Sequence, residues 1–531
     1  MEIRMEADGP VMGSPAEVME MFVADTQSRQ SEWNDRVRDD PDAFRLVERE
    51  IAGHYAQGAS QLVAAVLGTA TQTDIFQESA QQARRESSVP LKSPERRTVR
   101  LRLLSGLIIF VTTLYCPPKK RKADDGPQQT QLQGLYPELA ALGCSLGCSP
   151  MMAEKVARTV AMSPSINLAR DELKSQGITL DRKTVRRIAE QFGEQLLAMR
   201  RAELLSFRAG TLPQTDELAG RRVAVQIDGG RLRTRKTASE RGHGKRRAFT
   251  TRWREPKVLT IFTFDKSGRM EKKDSFRLID GTLQGPDHVA ELVACHLWRL
   301  GAARAECVAF VSDGAPWIWE RLEWIRRRCG LSHTRVSCIL DYYHAAHHVG
   351  SAVKACGLPD DQCRELSAAL RKKLKRGWWK EVVCTLLEHG SGIPEDSDFW
   401  TEIAYLQKHG EASHLSYGKY RQAGLPIGSG AIESTIRRSI NLRLKGNSIY
   451  WEESNAEAVL AVRSLILANQ WESTMPRLRS ALRRDRRRDW HWAAPDMGQE
   501  MKSPRDIQPP TRQTHTQQQL MAHRKKSATL I

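Results

Sequence analysis

The sequence predicts a mixed α/β protein whose sheet core is interrupted by an all-helical insertion and preceded by a helical, helix-turn-helix-like region. Three observations predict it. Two short apolar runs, Val223 to Ile227 and Cys307 to Ser312, each end in an Asp followed by Gly. Around them, β-branched runs alternate with amphipathic helical stretches. Residues 345–424 then show helical spacing with no strand-like alternation. A chain of 531 residues exceeds one domain of roughly 100–200 residues, so about two to four units are expected.

Residues 1–97 read as a mixed helical region with a linker. Val18 to Val23 and Leu46 to Leu67 have helical apolar spacing, the second broken by Gly53 and Gly58. The polar, Pro-containing stretch Gln77 to Arg97 reads as the linker. Residues 98–205 combine strand material (98–115) with a helix-turn-helix-like region. The basic run Lys119 to Lys122 reads as a solvated loop or a phosphate contact, with a nuclear-import signal as the lesser alternative. Ala153 to Val160 and Ser165 to Ser175 form two short helices, Gly177 breaks the chain, and Asp181 can cap a third. There Val185, Ile188, Phe192 and Leu196 repeat at helical spacing and leave Lys183, Arg186 and Arg187 off the buried stripe. Side chains near the start of such a helix can reach a DNA groove; a small bundle with a charged outer face is the plainer alternative.

Residues 216–344 hold the sheet core. Val223 to Asp228, Val258 to Phe264 and Ser275 to Ile279 read as three strands, followed by a helix (Asp287 to Leu300), a strand (Cys307 to Ser312), a helix (Trp317 to Arg328) and a strand (Val336 to Leu340). Three strands, helix, strand, helix, strand is the RNase H-like order. Residues 345–424 are the helical insertion, residues 425–475 return to the core, and 476–531 form a basic, Gln- and Thr-rich tail that reads as disordered.

Charge narrows the partner. Lys and Arg number 82 against 63 acidic residues, a formal net charge of +19. Such a surplus favours a polyanion through phosphate contacts and counterion release. The longest apolar run, Leu107 to Tyr115, is too short to span a bilayer. The ten cysteines lack a repeated spacing and read as reduced thiols of a cytoplasmic, nucleoid-associated protein. Cys144 and Cys148 have no second pair nearby at finger-like spacing, and Cys116 stands alone, so a structural zinc site is not supported.

The chemistry starts from Asp228 and Asp313. Parallel neighbouring strands would place these carboxylates side by side, where they repel unless a cation lies between them. Mg²⁺ suits such a site, with Mn²⁺ as a substitute, because it takes carboxylate oxygens, keeps waters and contacts phosphate. A third carboxylate is available in Glu433, after Pro426-Ile427-Gly428-Ser429-Gly430-Ala431-Ile432. It is expected near a helix N-terminus, facing the sheet; alone, it could equally be a first-turn Glu favoured by the helix dipole.

Together, Ile227-Asp228-Gly229-Gly230, Ser312-Asp313-Gly314-Ala315, Leu340-Asp341-Tyr342-Tyr343-His344 and Gly428-Ser429-Gly430-Ala431-Ile432-Glu433-Ser434 resemble bacterial insertion-sequence transposases of the ISKra type, relatives of the Mutator-like elements. The segment Asn441 to Gly446, followed by Tyr450-Trp451, is similar to the family's basic stretch after its Glu. The resemblance covers about Val223 to Trp471. It implies a DDE triad of Asp228, Asp313 and Glu433 holding the metal on an RNase H-like fold. Asp341 and His344 match an Asp-x-x-His motif with an auxiliary role; a competing assignment makes Asp341 the second metal ligand. The implied activity is binding of terminal inverted repeats, hydrolysis at the element's end and strand transfer into target DNA, by a homo-oligomer on paired ends. A nuclease without strand transfer and a non-enzymatic transposase-derived DNA-binding protein are the alternatives.

Thirteen Lys/Arg against three acidic residues lie between Arg221 and Lys257. Arg231, Arg233, Arg235 and Lys236 could carry DNA phosphate, or form a solvated hairpin. Arg437, Arg438, Arg443 and Lys445 are DNA candidates on the same ground. Trp317 and Trp319 read as core, and Trp451 as packing with a base contact as the alternative.

Overall fold

The computed structural model describes residues 1–6, 8–87, 90–119, 134–145, 147–237, 249–273, 275–331 and 334–484. These fall into two compact units, divided between Met199 and Arg200 and again between Trp471 and Glu472. The structure is mixed α/β. Of the expected disordered tail 476–531, residues 476–484 instead continue helix Trp471–Arg484; the rest, and most of the basic run after Lys119, lie outside the described residues.

In the unit that opens the chain, helices Pro15–Asp39 and Phe44–Ala70 pack together. The first begins with a reciprocal cap. The Glu17 backbone N–H donates to the Ser14 hydroxyl at 3.3 Å, and the Ser14 N–H donates to the Glu17 carboxylate at 2.7 Å. The expected break at Gly53 and Gly58 does not occur. Gly58 instead lets the helices approach, since a Cβ there would lie 2.1 Å from the Phe22 ring. The expected linker is also shorter than the sequence suggests. Helix Asp74–Arg85, capped by Thr73, occupies its start and a strand its end. Strands β1 (Glu2–Arg4), β2 (Glu95–Arg102) and β3 (Ile108–Tyr115) form an antiparallel sheet in the order β1-β3-β2, so the strand material of 98–115 is a hairpin.

Helices Pro150–Met162, Ile166–Ser175 and Arg182–Arg208 follow. Gly177 turns the chain at φ +82°, and the Asp181 carboxylate accepts from the Lys183 and Thr184 N–H groups at 2.9 and 3.0 Å. Val185, Ile188, Phe192 and Leu196 are buried, as their spacing requires. The third helix runs to Arg208, and the division between units falls within it.

The second unit holds the sheet. Its strands are β4 (Arg222–Gly229), β7 (Lys257–Thr263), β8 (Arg277–Thr282), β9 (Cys307–Ser312) and β10 (Arg335–Leu340), and a separate ribbon pairs β5 (Leu232–Thr237) with β6 (Phe249–Arg254). The sheet order is β10-β9-β4-β7-β8. β4, β9 and β10 run parallel; β7 and β8 run antiparallel beside β4. Strand alternation sends Val223, Val225, Ile227, Val308 and Phe310 toward helices Pro286–Arg299 and Pro316–Arg328. Ala224, Ala309 and Val311 meet the opposite layer, which includes helices Tyr342–Ala355 and Asp398–Glu411. Asp228 and Asp313 share the register of that second face.

The helical block continues as Asp360–Arg376, Trp379–His389 and Tyr417–Gln422. Helix Gly430–Ile436 then packs on β4 and β7, and helix Glu453–Leu467 packs on β8. A buried ionic cluster ties this last helix down. Arg200 reaches Asp280 on β8 at 3.0 Å and Glu457 at 2.5 Å, and His296 meets Asp280 at 2.9 Å.

Candidate active site

Three aspartates line one sheet edge because the parallel strands stop together. β4 pairs with β9 from Arg222 opposite Cys307 to Val225 opposite Phe310, and continuing that register brings Asp228 level with Asp313. β10 pairs with β9 as far as Leu340 opposite Ser312, and the Asp341 N–H donates to the Ser312 carbonyl at 2.9 Å. Asp341 therefore falls level with Asp313 on its other side.

The electrostatics separate the three. Burial, then the charge of Asp313, push the Asp228 carboxyl up from 3.8 to about 6. Burial also pushes Asp313 up, opposed by the Ala315 N–H, which donates to its carboxylate at 3.2 Å, and by His344. The Lys257 ammonium acts on both through its charge and lies 4.1 Å from the centre of the Trp317 ring and 2.6 Å from the Glu255 carboxylate. Its charge eases the ionisation of Asp228 and Asp313, whereas Glu255 adds to the repulsion on Asp228. Neither Lys257 nor Glu255 was singled out by the sequence. Strand pairing of Lys257 with Gly229 places them, and only the topology reveals it.

Asp341 is saturated by its own protein. One oxygen accepts from the N–H groups of Tyr343, at 2.6 Å, and His344, at 3.4 Å, capping helix Tyr342–Ala355. The other accepts from the Ser429 N–H at 3.0 Å and from the Ser429 hydroxyl. Gln226, a buried amide in the apolar strand β4, supports the same loop. Its NH₂ donates to the Gly428 carbonyl and its oxygen accepts from the Ile432 N–H, both at 3.0 Å. Two side chains from the sheet thus fix the start of the helix that carries Glu433. A lone Gln two residues before Asp228 in an otherwise apolar run was the available signal for the second.

Glu433 lies in the first turn of helix Gly430–Ile436, as its sequence position indicates. It is exposed rather than turned into the sheet, because Ile432, Thr435 and Ile436 take the buried stripe. Among the described residues, no three His, Cys, Asp or Glu side chains are gathered as a metal-ion cluster. Asp228 and Asp313 are brought together, and Glu433 is held near their strands through its helix.

Behind Asp313 lies a histidine and aromatic layer. The Nε2 atoms of His344 and His348 are 3.2 Å apart, and His348 Nδ1 meets Glu402. Tyr405 stacks on His348 with ring centres 3.8 Å apart. Burial and the neighbouring His348 push His344 below the usual imidazole range, while Asp313 and Asp341 pull it back. Trp319 donates to the Asp313 carbonyl at 2.7 Å and stacks on His414, so it packs as expected; Trp317 packs against the core beneath Lys257.

The basic candidates divide. Arg231, Arg235, Lys236, Arg437, Arg438 and Lys445 are exposed, as are Lys183, Arg186 and Arg187 in the other unit. Arg443 is not: it is 5% exposed, lies over the Trp451 ring at 4.9 Å, and burial lowers its guanidinium to about 10. Arg233 is half-buried and donates to the Gly446 carbonyl at 2.6 Å. Both are structural cations in this conformation, because the chain around Trp451 folds back along β5. Trp451 itself donates to the Leu444 carbonyl at 3.0 Å and packs there.

No helix of the described residues is long and apolar enough to cross a membrane. No family model and no curated protein matches the chain. Among solved structures, it is similar to the Drosophila P element transposase strand transfer complex, at 10% identity over 63% of this chain and 83% of that one. The TM-score is 0.22, too low to establish a common fold.

Proposed function

We propose that the chain is a DDE transposase of the ISKra-like, Mutator-related kind, built on an RNase H-like core. It would bind the terminal inverted repeats of an insertion sequence, cleave DNA at the element's end and transfer the strand. The carrying observation is the placement of Asp228 and Asp313 level with one another at the ends of adjacent parallel strands, each pushed above the usual carboxylate range. A carboxylate pair whose ionisation is disfavoured by burial first, and on Asp228 by the charge of Asp313 second, fits a divalent cation. Asp228 and Asp313 would hold Mg²⁺ or Mn²⁺, and Glu433 is the proposed third ligand. Bound there, the metal supplies activation of the attacking oxygen and stabilisation of the leaving one in an in-line displacement at phosphorus.

The chain's own residues do the rest. Lys257 favours the ionised form of both carboxyls. Asp341, spent on Ser429 and the helix cap, acts as a positioning residue for the Glu433 segment, which argues against its being a metal ligand. His344 faces Asp313 from the first turn of the following helix. Exposed Arg231, Arg235, Lys236, Arg437, Arg438 and Lys445 offer phosphate contacts around the site. Lys183, Arg186 and Arg187 offer a separate contact for sequence recognition, and paired ends would call for a homo-oligomer.

The test is cleavage of a labelled duplex bearing the host element's terminal repeat, with Mg²⁺ or Mn²⁺, by the wild type and by Asp228→Asn, Glu433→Gln and Glu255→Gln. Metal-dependent cutting at the repeat boundary that is lost in Asp228→Asn and Glu433→Gln and kept in Glu255→Gln supports the triad. Loss in Glu255→Gln with retention in Glu433→Gln moves the third carboxylate to Glu255. A pre-nicked end that fails to join plasmid DNA reduces the enzyme to a nuclease.

A further inference from the structure

The ribbon beyond Asp228 carries more than charge. In the β5–β6 pairing, Arg233 lies opposite Trp253, Arg235 opposite Thr251 and Thr237 opposite Phe249. Residues directly opposite in an antiparallel pair share a face, so one face presents Arg233, Arg235, Thr251, Trp253 and Phe249. Trp253 is 49% exposed and Phe249 45% exposed, on a ribbon whose other face is anchored by Leu232, Thr234 and Arg254, all buried. Tyr450 joins the outer face from the segment that runs beside β5, with its ring centre 5.6 Å from that of Phe249. The Arg233 guanidinium bridges the aromatic groups, 5.5 Å from the Trp253 ring centre and 5.0 Å from that of Tyr450.

Exposed aromatic rings cost solvation and need a reason. A core role is excluded for Phe249 and Trp253 by their exposure. A purely apolar partner is disfavoured by the arginines interleaved with them. Rings set among cations on an extended backbone are the arrangement that stacks unpaired nucleobases while neutralising the strand that carries them. Gly229 and Gly230 alone separate Asp228 from Arg231, so this face begins beside the proposed catalytic edge.

We infer that the outer face of the β5–β6 ribbon, centred on Trp253, Phe249 and Tyr450, binds single-stranded DNA by base stacking. Resting on the transposase reading, it gives the strand freed at the cut a place next to the carboxylates. A duplex buries its base faces within its own stack, so the face discriminates unpaired from paired DNA.

The test measures binding of the full chain, in EDTA, to a fluorescent oligothymidine, to a blunt duplex and to the same duplex with a thymidine overhang. Wild type is expected to prefer the overhang to the blunt end, and Trp253→Ala and Phe249→Ala each to weaken oligothymidine binding about tenfold with duplex affinity unchanged. Trp253→Phe keeps a ring and should restore most of the loss, which separates stacking from misfolding. Equal affinity of wild type for blunt and overhanging ends, or no loss in either Ala variant, overturns the inference while leaving the transposase reading intact. Ring-dependent oligothymidine binding in a protein that cuts no terminal repeat would retain this inference and sink that reading. Dimer formation abolished by Trp253→Ala, with oligothymidine binding unchanged, would assign the face to a second copy and overturn it as well.

Discussion

Replacing Asp228 with Asn should make the metal-free protein more stable, and the gain should depend on pH. Burial and Asp313 raise the Asp228 carboxyl from 3.8 to about 6. Ionising it in the fold is therefore less favourable than in the unfolded chain, by about 3 kcal/mol at ~1.4 kcal/mol per decade of proton affinity. A carboxyl whose folded pKa lies above its unfolded value binds its proton more tightly when folded. Stability then falls as pH rises through the window from about 3.8 to 6, and the loss is complete above it. Asn keeps the shape, can still accept from the Gly229 N–H that Asp228 holds at 2.5 Å, and carries no charge. Allowing for partial solvent access and relaxation, the expected gain is about 1–3 kcal/mol at pH 8, shrinking toward zero near pH 4. In thermal unfolding with EDTA this is a rise of several degrees at about 2–4 °C per kcal/mol for a unit of this size. Adding Mg²⁺ should raise the wild-type midpoint at pH 8 and leave Asp228→Asn nearly unmoved. A variant less stable than wild type at pH 8, or a gain that does not shrink on acidification, would refute the repulsion argument.

Other positions test the surroundings of the site. Gly314→Ala would place a Cβ 1.8 Å from the Tyr405 hydroxyl and should cost about 1–3 kcal/mol of overpacking in urea unfolding. That Tyr405 hydroxyl is buried with no hydrogen-bond partner among the described residues, so Tyr405→Phe should be neutral or stabilising by up to about 1 kcal/mol. Arg200→Met strands Asp280 and Glu457 in the interior and should destabilise by about 3–5 kcal/mol, read from the same unfolding curves. Asp341→Ala removes a helix cap and the acceptor of Ser429, a cost of about 2–4 kcal/mol. In limited trypsin digestion, it should also speed cutting at exposed Arg421, just before the loosened loop.

The strand order of the second unit was legible because its signals are local and strong. Val223 to Asp228 and Cys307 to Asp313 are apolar runs closed by Asp-Gly, and buried parallel strands require such runs. The helix from Arg182 was legible in the same way, through Asp181 as its cap and four apolar residues at helical spacing. The break expected at Gly53 and Gly58 shows where local rules fail. Propensity treats Gly58 as a weak point, but packing uses its missing Cβ to seat Phe22, a contact between helices that no window of sequence contains. The same limit hid Lys257, whose place beside Asp228 follows from its antiparallel pairing with Gly229, and the burial of Arg443, which stands in a basic run yet packs against Trp451.

The proposed third carboxylate, Glu433, is where sequence and structure constrain each other most closely. Helix Gly430–Ile436 is fixed at its start by Gln226 and Asp341, and its inner stripe by Ile432, Thr435 and Ile436. One residue along a helix turns a side chain by about 100°, so Glu433, next to buried Ile432, cannot also point at the sheet without unseating that stripe. It lies exposed on its helix instead, and in the proposed triad it would meet a ligand held by Asp228 and Asp313 rather than the carboxylates themselves. Such a position makes chemical sense for a repelling pair, since a third negative charge pressed into the metal-free edge would raise Asp228 and Asp313 further. On the proposed reading the anchoring residues would matter as much as the Glu. Gln226→Leu removes the amide that holds both Gly428 and Ile432 while leaving all three carboxylates in place. If anchoring sets the placement of Glu433, this variant should keep DNA binding and lose cleavage at least tenfold, with activity partly recovered at high Mn²⁺. Unchanged cleavage by Gln226→Leu would show that Glu433 needs no such support and that the clamp serves the fold alone.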